Sequence, residues 1–328
     1  MIERELSAYL ARELGLSGEL AIEPVAGGQS NPTFFVDCDG RRMVLRKQPA
    51  NALPSAHAID REYRIMAALE SSKVPVPRVI AYCEDRTILG TPFYLMDRVQ
   101  GRVFNDPALP QVSPDDRRAM YLAMADTLAT LHDIDWKAAG LADFGKPGNF
   151  FERQIARFAR QSAMSGSAQS GQIADLVKWL SVNVPEDDTT AIAHGDFRIG
   201  NLMFHPTEPA VVAVLDWELS TLGHPAADVA YSALGWRLQS SEYMGISNLD
   251  LQGLGIPLED DYVARYAAAS GASFSIEPFH FVFSLFRLAV IFEGIASRAR
   301  EGTASSTNAA EVGVLAGILA ERAMAITS

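Results

Sequence analysis

His194-Gly195-Asp196-Phe197-Arg198-Ile199-Gly200-Asn201, running on into Leu202-Met203-Phe204, is the stretch that decides the reading of this chain. Fifteen residues beyond Asn201, closing the apolar run Val211-Val212-Ala213-Val214-Leu215, stands Asp216. Short apolar runs bounded by turn residues read as buried strands. Thr190 to Trp217 is therefore predicted as a strand–loop–strand unit that carries Asp196, Asn201 and Asp216 to a common rim. Carboxylate and amide oxygens gathered in one place suit Mg²⁺, a hard cation that takes oxygen ligands and relies partly on substrate phosphates. The carboxylate not spent on metal can accept a proton from a hydroxyl nucleophile. The plainer alternative makes Asp196 a turn residue and Asp216 a helix cap.

Outward from this unit the chain divides by pattern. Residues 1–99 read mostly as strands: Leu20–Val25, Thr33–Cys38, Arg41–Lys47, Val79–Tyr82 and Phe93–Arg98. Asp39-Gly40 is a two-residue hairpin signal. One amphipathic helix is expected over 2–14. Another follows the third strand over Ala58–Leu69, with Ile59, Tyr63, Met66 and Leu69 at helical spacing. After about residue 112 helices dominate. Ser113 caps a helix with Pro114 in its first turn that continues to His132. Phe150–Gln161, Ile173–Val182, Asp260–Ala269 and Pro278–Arg300 complete the expected helical set, with Ser162–Gly171 as a Ser/Gly/Ala-rich loop. The expected architecture is α+β: a small antiparallel sheet with a crossing helix, then a larger helical part.

Composition removes several classes. The 328 residues carry 28 Lys+Arg and 40 Asp+Glu, a formal charge of −12. Residues 1–99 hold a net of −1 and the rest a net of −11. Nucleic-acid binders are expected to show a basic face instead. Two cysteines, Cys38 and Cys83, are too few to staple a fold of this size, so a reducing cytoplasm is the expected compartment. The N-terminus is charged and amphipathic where a secretory signal would be basic and then apolar. The longest apolar stretch, Phe279 to Phe292, is interrupted by His280, Ser284 and Arg287, so no membrane span is expected.

The pair of motifs, His194-Gly195-Asp196 with Asn201 and then Asp216, resembles the catalytic and metal loops of the aminoglycoside phosphotransferase and choline kinase family, relatives of protein kinases. The protein-kinase patterns are H-R-D-x-x-x-x-N and D-F-G. Gly195 replaces Arg and Trp217-Glu218 replaces Phe-Gly, as in small-molecule kinases. The resemblance implies a protein-kinase-like two-lobe fold, with residues 1–99 as the nucleotide-binding lobe and 100–328 as the catalytic and acceptor-binding lobe. It implies ATP and Mg²⁺ as cofactors, with a small molecule as acceptor. Asp196 would act on the acceptor hydroxyl, and Asn201 and Asp216 would hold the metal. Gly27, Gly28, Ser30 and Asn31 fall where the nucleotide-covering loop lies. Arg46 falls at the position of the kinase third-strand lysine, with Lys47 second because it points to the other strand face. Glu62 resembles the glutamate that pairs with that cation, or else is a solvated helix carboxylate. Met96, Asp97 and Val99 look like the hinge that reads the adenine edge, or else an ordinary strand end. His194 would hold the catalytic loop, Asp228 would support it from a helix start, and His132 reads as structural.

For the acceptor, Asp216 to Pro225 and Val44 to Pro49 more closely resemble the kinase-like domains fused to certain acyl-CoA dehydrogenases. That branch implies hydroxyacyl-CoA phosphorylation. An aminoglycoside-type antibiotic kinase, suited to the acidic helical part, and a catalytically inactive nucleotide-binding regulator are the alternatives. Arg153, Arg157 and Arg160 recur at i, i+4 and i+7, on one face of the predicted helix. They form either an anionic-acceptor site or a solvated face.

Overall fold

The computed structural model describes residues 2–25, 31–50, 59–165, 170–271, 275–300 and 309–327. Helix α1 (Ile2–Leu14) precedes strands β1 (Leu20–Pro24), β2 (Thr33–Cys38) and β3 (Arg41–Lys47). Helix α2 (Ile59–Leu69), β4 (Val79–Cys83), the one-turn α3 (Arg86–Leu89) and β5 (Phe93–Asp97) follow. The five strands form one antiparallel sheet in the order β1-β2-β3-β5-β4. Asp39 (φ 52°) and Gly40 (φ 72°) make the β2–β3 turn with both central residues left-handed, as the Asp-Gly signal requires.

Strand alternation gives this sheet two different faces. Met43 and Leu45, with Val36, Phe93 and Leu95, pack against Leu6, Tyr9 and Leu10 of α1 in a small separate core. Val44, Tyr94 and Met96 point the other way, onto Ile65, Met66 and Leu69 of α2 in the main core. Arg46 shares the parity of Val44 and so faces α2. Lys47 lies on the opposite face, where its ammonium donates to the Leu89 carbonyl at 2.7 Å.

Beyond the sheet come β6 (Arg102–Val103), α4 (Pro114–His132), α5 (Phe150–Ser165), α6 (Ser170–Val182), β7 (Ala191–Ala193), β8 (Leu202–Phe204), β9 (Val211–Val214) and β10 (Thr221–Gly223). Helices α7 (Pro225–Ser232), α8 (Leu251–Leu254), α9 (Glu259–Ser270), α10 (Pro278–Arg300) and α11 (Ala309–Thr327) complete the chain. The predicted strand–loop–strand unit is more divided than expected. β7 pairs with β10, while β8 and β9 join β6 in a second small sheet. The loop expected over Ser162–Gly171 is shorter: helix continues to Ser165 and is present again from Ser170. Helix α11 lies beyond the expected helical set; its partner is α10. Helix α10 is long and apolar enough to cross a membrane, but 89% of that stretch is buried in the protein. A helix apolar on all sides is stable at the centre of a core, and α10 packs on α5, α6, α7 and α11.

Candidate active site

The loop after β7 is held from beneath by one buried carboxylate. Asp228, on the first turn of α7, accepts the backbone amides of His194 at 2.5 Å and Gly195 at 2.9 Å. His132 reaches its Oδ2 at 3.5 Å and is itself held by the Tyr266 hydroxyl at 2.7 Å. Burial opposes ionisation of Asp228, but the hydrogen bond and charge of His132, His194 and the Gly195 amide outweigh it, and its pKa is lowered. Asp228 thus lies under the loop at the start of α7, with His132 against it.

His194 is fully buried and joins two loops. Its Nδ1 accepts the Asp196 amide at 3.2 Å, which leaves the proton on Nε2 to donate to the Leu215 carbonyl at 2.9 Å. The Leu215 amide in turn donates to the Asn201 carbonyl at 2.8 Å. These bonds bring the segment before Asp216 alongside the Asp196 loop. Asp216 itself is left-handed (φ 64°, ψ 62°) and makes no side-chain cap to the turn that follows. Its carboxylate turns instead to Arg46 Nη2, at 2.9 Å. The helix-cap alternative for Asp216 is thereby excluded.

Arg46 forms a second ion pair, Nε to Glu62 Oε2 at 3.1 Å. Glu62 is 1% exposed, so it is no solvated carboxylate. It also accepts the Tyr94 hydroxyl at 3.0 Å and the Asn31 amide at 2.6 Å. Burial works against the Arg46 cation, but the charges of Glu62 and Asp216 outweigh it and raise its pKa. Helix α2 is fixed for this purpose by Arg61, which donates to the carbonyls of Phe144 at 2.6 Å and Ser220 at 3.2 Å.

Asp196 has both oxygens engaged. Oδ2 accepts Asn201 Nδ2 at 2.7 Å, and the same amide group donates to the Asp196 carbonyl at 2.8 Å. Oδ1 accepts the Tyr231 hydroxyl and has Arg198 Nε at 3.4 Å. With its NH₂ group turned to Asp196, Asn201 keeps its amide oxygen as the remaining acceptor. That oxygen and the Asp216 carboxylate are hard donors of the kind Mg²⁺ takes alongside substrate phosphates. Among the described residues no group of three His, Cys, Asp or Glu side chains forms a metal cage. A metal here would need the nucleotide to complete its shell.

Other expected residues divide. Gly27, Gly28 and Ser30 lie outside the described residues; Asn31 is buried at the Glu62 carboxylate. Met96 and Asp97 belong to β5, where the Asp97 amide already donates to the Arg78 carbonyl at 2.8 Å. The Asp97 carboxylate faces Arg41 and Arg78, so the sheet occupies this residue. Val99 follows the strand end and is half-buried. Arg153 is tied back to the Lys146 carbonyl and Arg160 is exposed. Arg157 lies near Arg287, whose charge adds to partial desolvation in lowering the Arg157 pKa. Arg287 donates to the Gly195 carbonyl, and Arg157, like Arg160, is exposed. Sequence reasoning missed Tyr94, Tyr231, Arg198 and Arg287. Tyr94 sits opposite Arg46 in the β3–β5 register, and Tyr231 is one turn beyond Asp228, so both had a positional signal.

A twisted five-stranded sheet presenting a buried Arg–Glu pair to a loop with an aspartate, an asparagine and a following aspartate is the architecture of the protein-kinase-like phosphotransferases. The APH phosphotransferase enzyme family model matches residues 21–271, and the chain belongs to that family. A candidate aminoglycoside phosphotransferase of Ralstonia eutropha JMP134 is 42% identical, with a TM-score of 0.90 over 99% of this chain and 97% of that one. A thermostable mutant of aminoglycoside phosphotransferase APH(4)-Ia, solved with ADP and hygromycin B, shares the fold at 16% identity and a TM-score of 0.64, over 98% of each chain. Acyl-CoA dehydrogenase family member 10 of Mus musculus is 42% identical over 97% of this chain but 30% of its own length. The chain spans between 30% and 41% of the first curated relatives it matches.

Proposed function

We propose that this chain transfers the γ-phosphoryl group of ATP to a hydroxyl of a small molecule, in a cleft between residues 1–99 and 100–328. The observation that carries the reading is the convergence of Arg46, Asp196, Asn201 and Asp216 from three segments, β3, the loop after β7 and the turn after β9, with Arg46 bonded to Asp216 and Asn201 to Asp196. Asp196 orients the acceptor hydroxyl and takes its proton. Arg46, kept charged by Glu62, grips phosphate oxygens. Asn201 and Asp216 hold Mg²⁺, which when bound neutralises charge on the transferring phosphoryl group. Asp216 is also paired with Arg46 at 2.9 Å, so the groups that would meet metal and phosphate lie in contact. ATP as donor is supported by the ADP bound in the distant APH(4)-Ia structure.

For the acceptor, the reading is a hydroxyacyl-CoA. Its supports are the acyl-CoA dehydrogenase family relatives and the Arg287 cation bonded to the Gly195 carbonyl of the Asp196 loop. An aminoglycoside acceptor is the second reading, favoured by the Ralstonia relative and by the net −11 on residues 100–328. Phosphate transfer from Mg²⁺-ATP is to be measured across hydroxyacyl-CoAs, aminoglycosides, choline and sugars, with Asp196→Asn as control. Transfer to a CoA ester alone supports the first reading; transfer to an aminoglycoside alone replaces it. No transfer to any acceptor, together with no ATP turnover above the control, removes the kinase reading.

A further inference from the structure

We propose that Tyr231 is a positioning residue for Asp196, locking the carboxylate in its working orientation through a hydrogen-bond chain that begins at Tyr243. The proposal rests on the phosphotransferase reading above for its consequence in turnover, though not for its geometry.

Tyr231 lies three residues beyond Asp228 on α7, so both side chains leave the same helix face one turn apart. Asp228 secures the backbone of the loop, and Tyr231 reaches the reactive side chain itself. The tyrosine is 1% exposed and its hydroxyl donates to Asp196 Oδ1. The remaining side chains of α7 between them, Val229 and Ala230, carry no polar atom.

Proton direction along the chain follows from the groups present. The Tyr231 and Tyr243 hydroxyl oxygens are 3.2 Å apart. Burial, with Tyr243 and Asp196 close by, pushes the Tyr231 pKa well above its ordinary value, so this hydroxyl keeps its proton. The Asp196 oxygen is the acceptor of the Tyr231 hydroxyl. Tyr231 must therefore donate to Asp196, and the Tyr243 hydroxyl must donate to the Tyr231 oxygen. Both dipoles point towards the carboxylate, and each bond strengthens the other. Tyr243 is set by its edge-to-face contact with Phe292 of α10, ring centroids 5.0 Å apart, and by the Arg198 guanidinium 6.0 Å from its centroid.

The result is a two-point clamp. Asn201 fixes Oδ2 from the loop, and Tyr231 fixes Oδ1 from α7. A carboxylate bonded at one oxygen can still rotate about its terminal torsion, which is broad and soft. Bonded at both, it cannot. Each oxygen keeps lone-pair capacity for an acceptor hydroxyl. Orientation of this kind matters because a displacement of about 1 Å at a reacting group can cost on the order of 10²-fold in rate.

The test uses Tyr231→Phe and Tyr243→Phe, which each remove one oxygen and leave the ring. Turnover is read with Mg²⁺ and ATP alone, water being the acceptor, alongside thermal unfolding. Tyr231→Phe should lower kcat about tenfold to hundredfold, with KM for ATP and Tm essentially unchanged. Tyr243→Phe should cost less, and the double variant should be no slower than Tyr231→Phe, because Tyr243 acts only through Tyr231. Crystal structures of wild type and Tyr231→Phe supply a readout that needs no turnover: the Asp196 carboxylate should rotate or split in the variant. A kcat within twofold of wild type overturns the proposal. So does a double variant that loses the product of the two single losses, or an Asp196 carboxylate unmoved in the Tyr231→Phe crystal. If wild type turns over no more ATP than Asp196→Asn, the phosphotransferase reading fails instead, and the carboxylate's orientation decides the positioning claim by itself.

Discussion

Gly195 stands where protein kinases carry arginine, and the geometry shows why a side chain is excluded here. Its φ is +83°, and a Cβ would lie 2.7 Å from the Leu219 carbonyl oxygen, with the Leu219 side chain at 3.1 Å. Both contacts are on the segment after Asp216, so the close approach is what brings the two loops together. Gly195→Ala should cost about 1–2 kcal/mol for the left-handed conformation alone. The displaced loop should lower kcat further, read as a loss of ATP turnover larger than the fall in Tm explains. At the neighbouring position Asp196→Asn should reduce transfer at least ~10²-fold, the lower end of general acid–base contributions, with ATP affinity little changed. Asp216→Ala should weaken Mg²⁺-dependent ATP binding as well as turnover, measured by calorimetry with and without Mg²⁺. Equal binding losses in the two variants would contradict this division of roles.

Two elements hold the site by contacts far from it. Helix α2 keeps Glu62 beneath Arg46 because Arg61 and Arg64 anchor it to the segment 140–144 and to Ser220. Helix α7 keeps Asp228 and Tyr231 beneath the loop, and its N-cap is His224, whose Nδ1 accepts the Ala226 amide at 3.2 Å. His224 Nε2 donates to Asp187 at 3.2 Å, and its ring stacks on His280 of α10, centroids 5.9 Å apart. His280 Nδ1 accepts the Glu277 amide, so the proton sits on Nε2, which is buried with no partner among the described residues. Burial, then the neighbouring His224, pushes the His280 pKa down to about 4. An unfolded histidine titrates near 6.5. Between those values the unfolded chain binds the extra proton and the folded one does not. The stability contributed is therefore fully present above pH ~6.5 and lost as pH falls towards 4. Urea unfolding at pH 7.5, 6 and 5 should show this decline, and His280→Phe should flatten it. An unchanged slope in the variant would place the acid sensitivity elsewhere.

At the scale of the molecule, the question is how a chain of net −12 would receive an anionic acceptor. The predicted answer was a helix face of three arginines, and the fold separates them. Arg153 is committed to the Lys146 carbonyl, while Arg157 is exposed and has its pKa lowered by partial desolvation and then by the charge of Arg287. Arg160 is exposed. The triple variant Arg153→Gln, Arg157→Gln, Arg160→Gln should raise KM for a hydroxyacyl-CoA in a salt-sensitive way, leaving KM for ATP alone. Most of the effect should reside in Arg157→Gln. An aminoglycoside acceptor reverses the sign, because removing cations near a polycation's site should lower its KM.

What the residues determined alone was local. The five sheet strands, the Asp39-Gly40 turn and helices α1, α2, α4 and α10 were legible within a residue or two, because period, caps and turn chemistry act over a few neighbours. The same locality made Asp196, Asn201 and Asp216 visible, since their spacing lies within one loop and strand. Arg46 could be preferred over Lys47 from strand parity, but only the sheet packing on α2 shows it between Glu62 and Asp216. Tyr231, Arg287 and Arg198 stayed hidden among ordinary helix and loop residues. The partners of Tyr231 and Arg287 are 35 and 92 residues away, and which side chain meets which is decided by packing of whole elements. Helix α11 escaped for a related reason. Its small, apolar sequence has little amphipathic contrast, and what defines it is the face of α10 against which it lies. Short-range physics wrote the elements; burial against distant partners chose the contacts that turn them into a site.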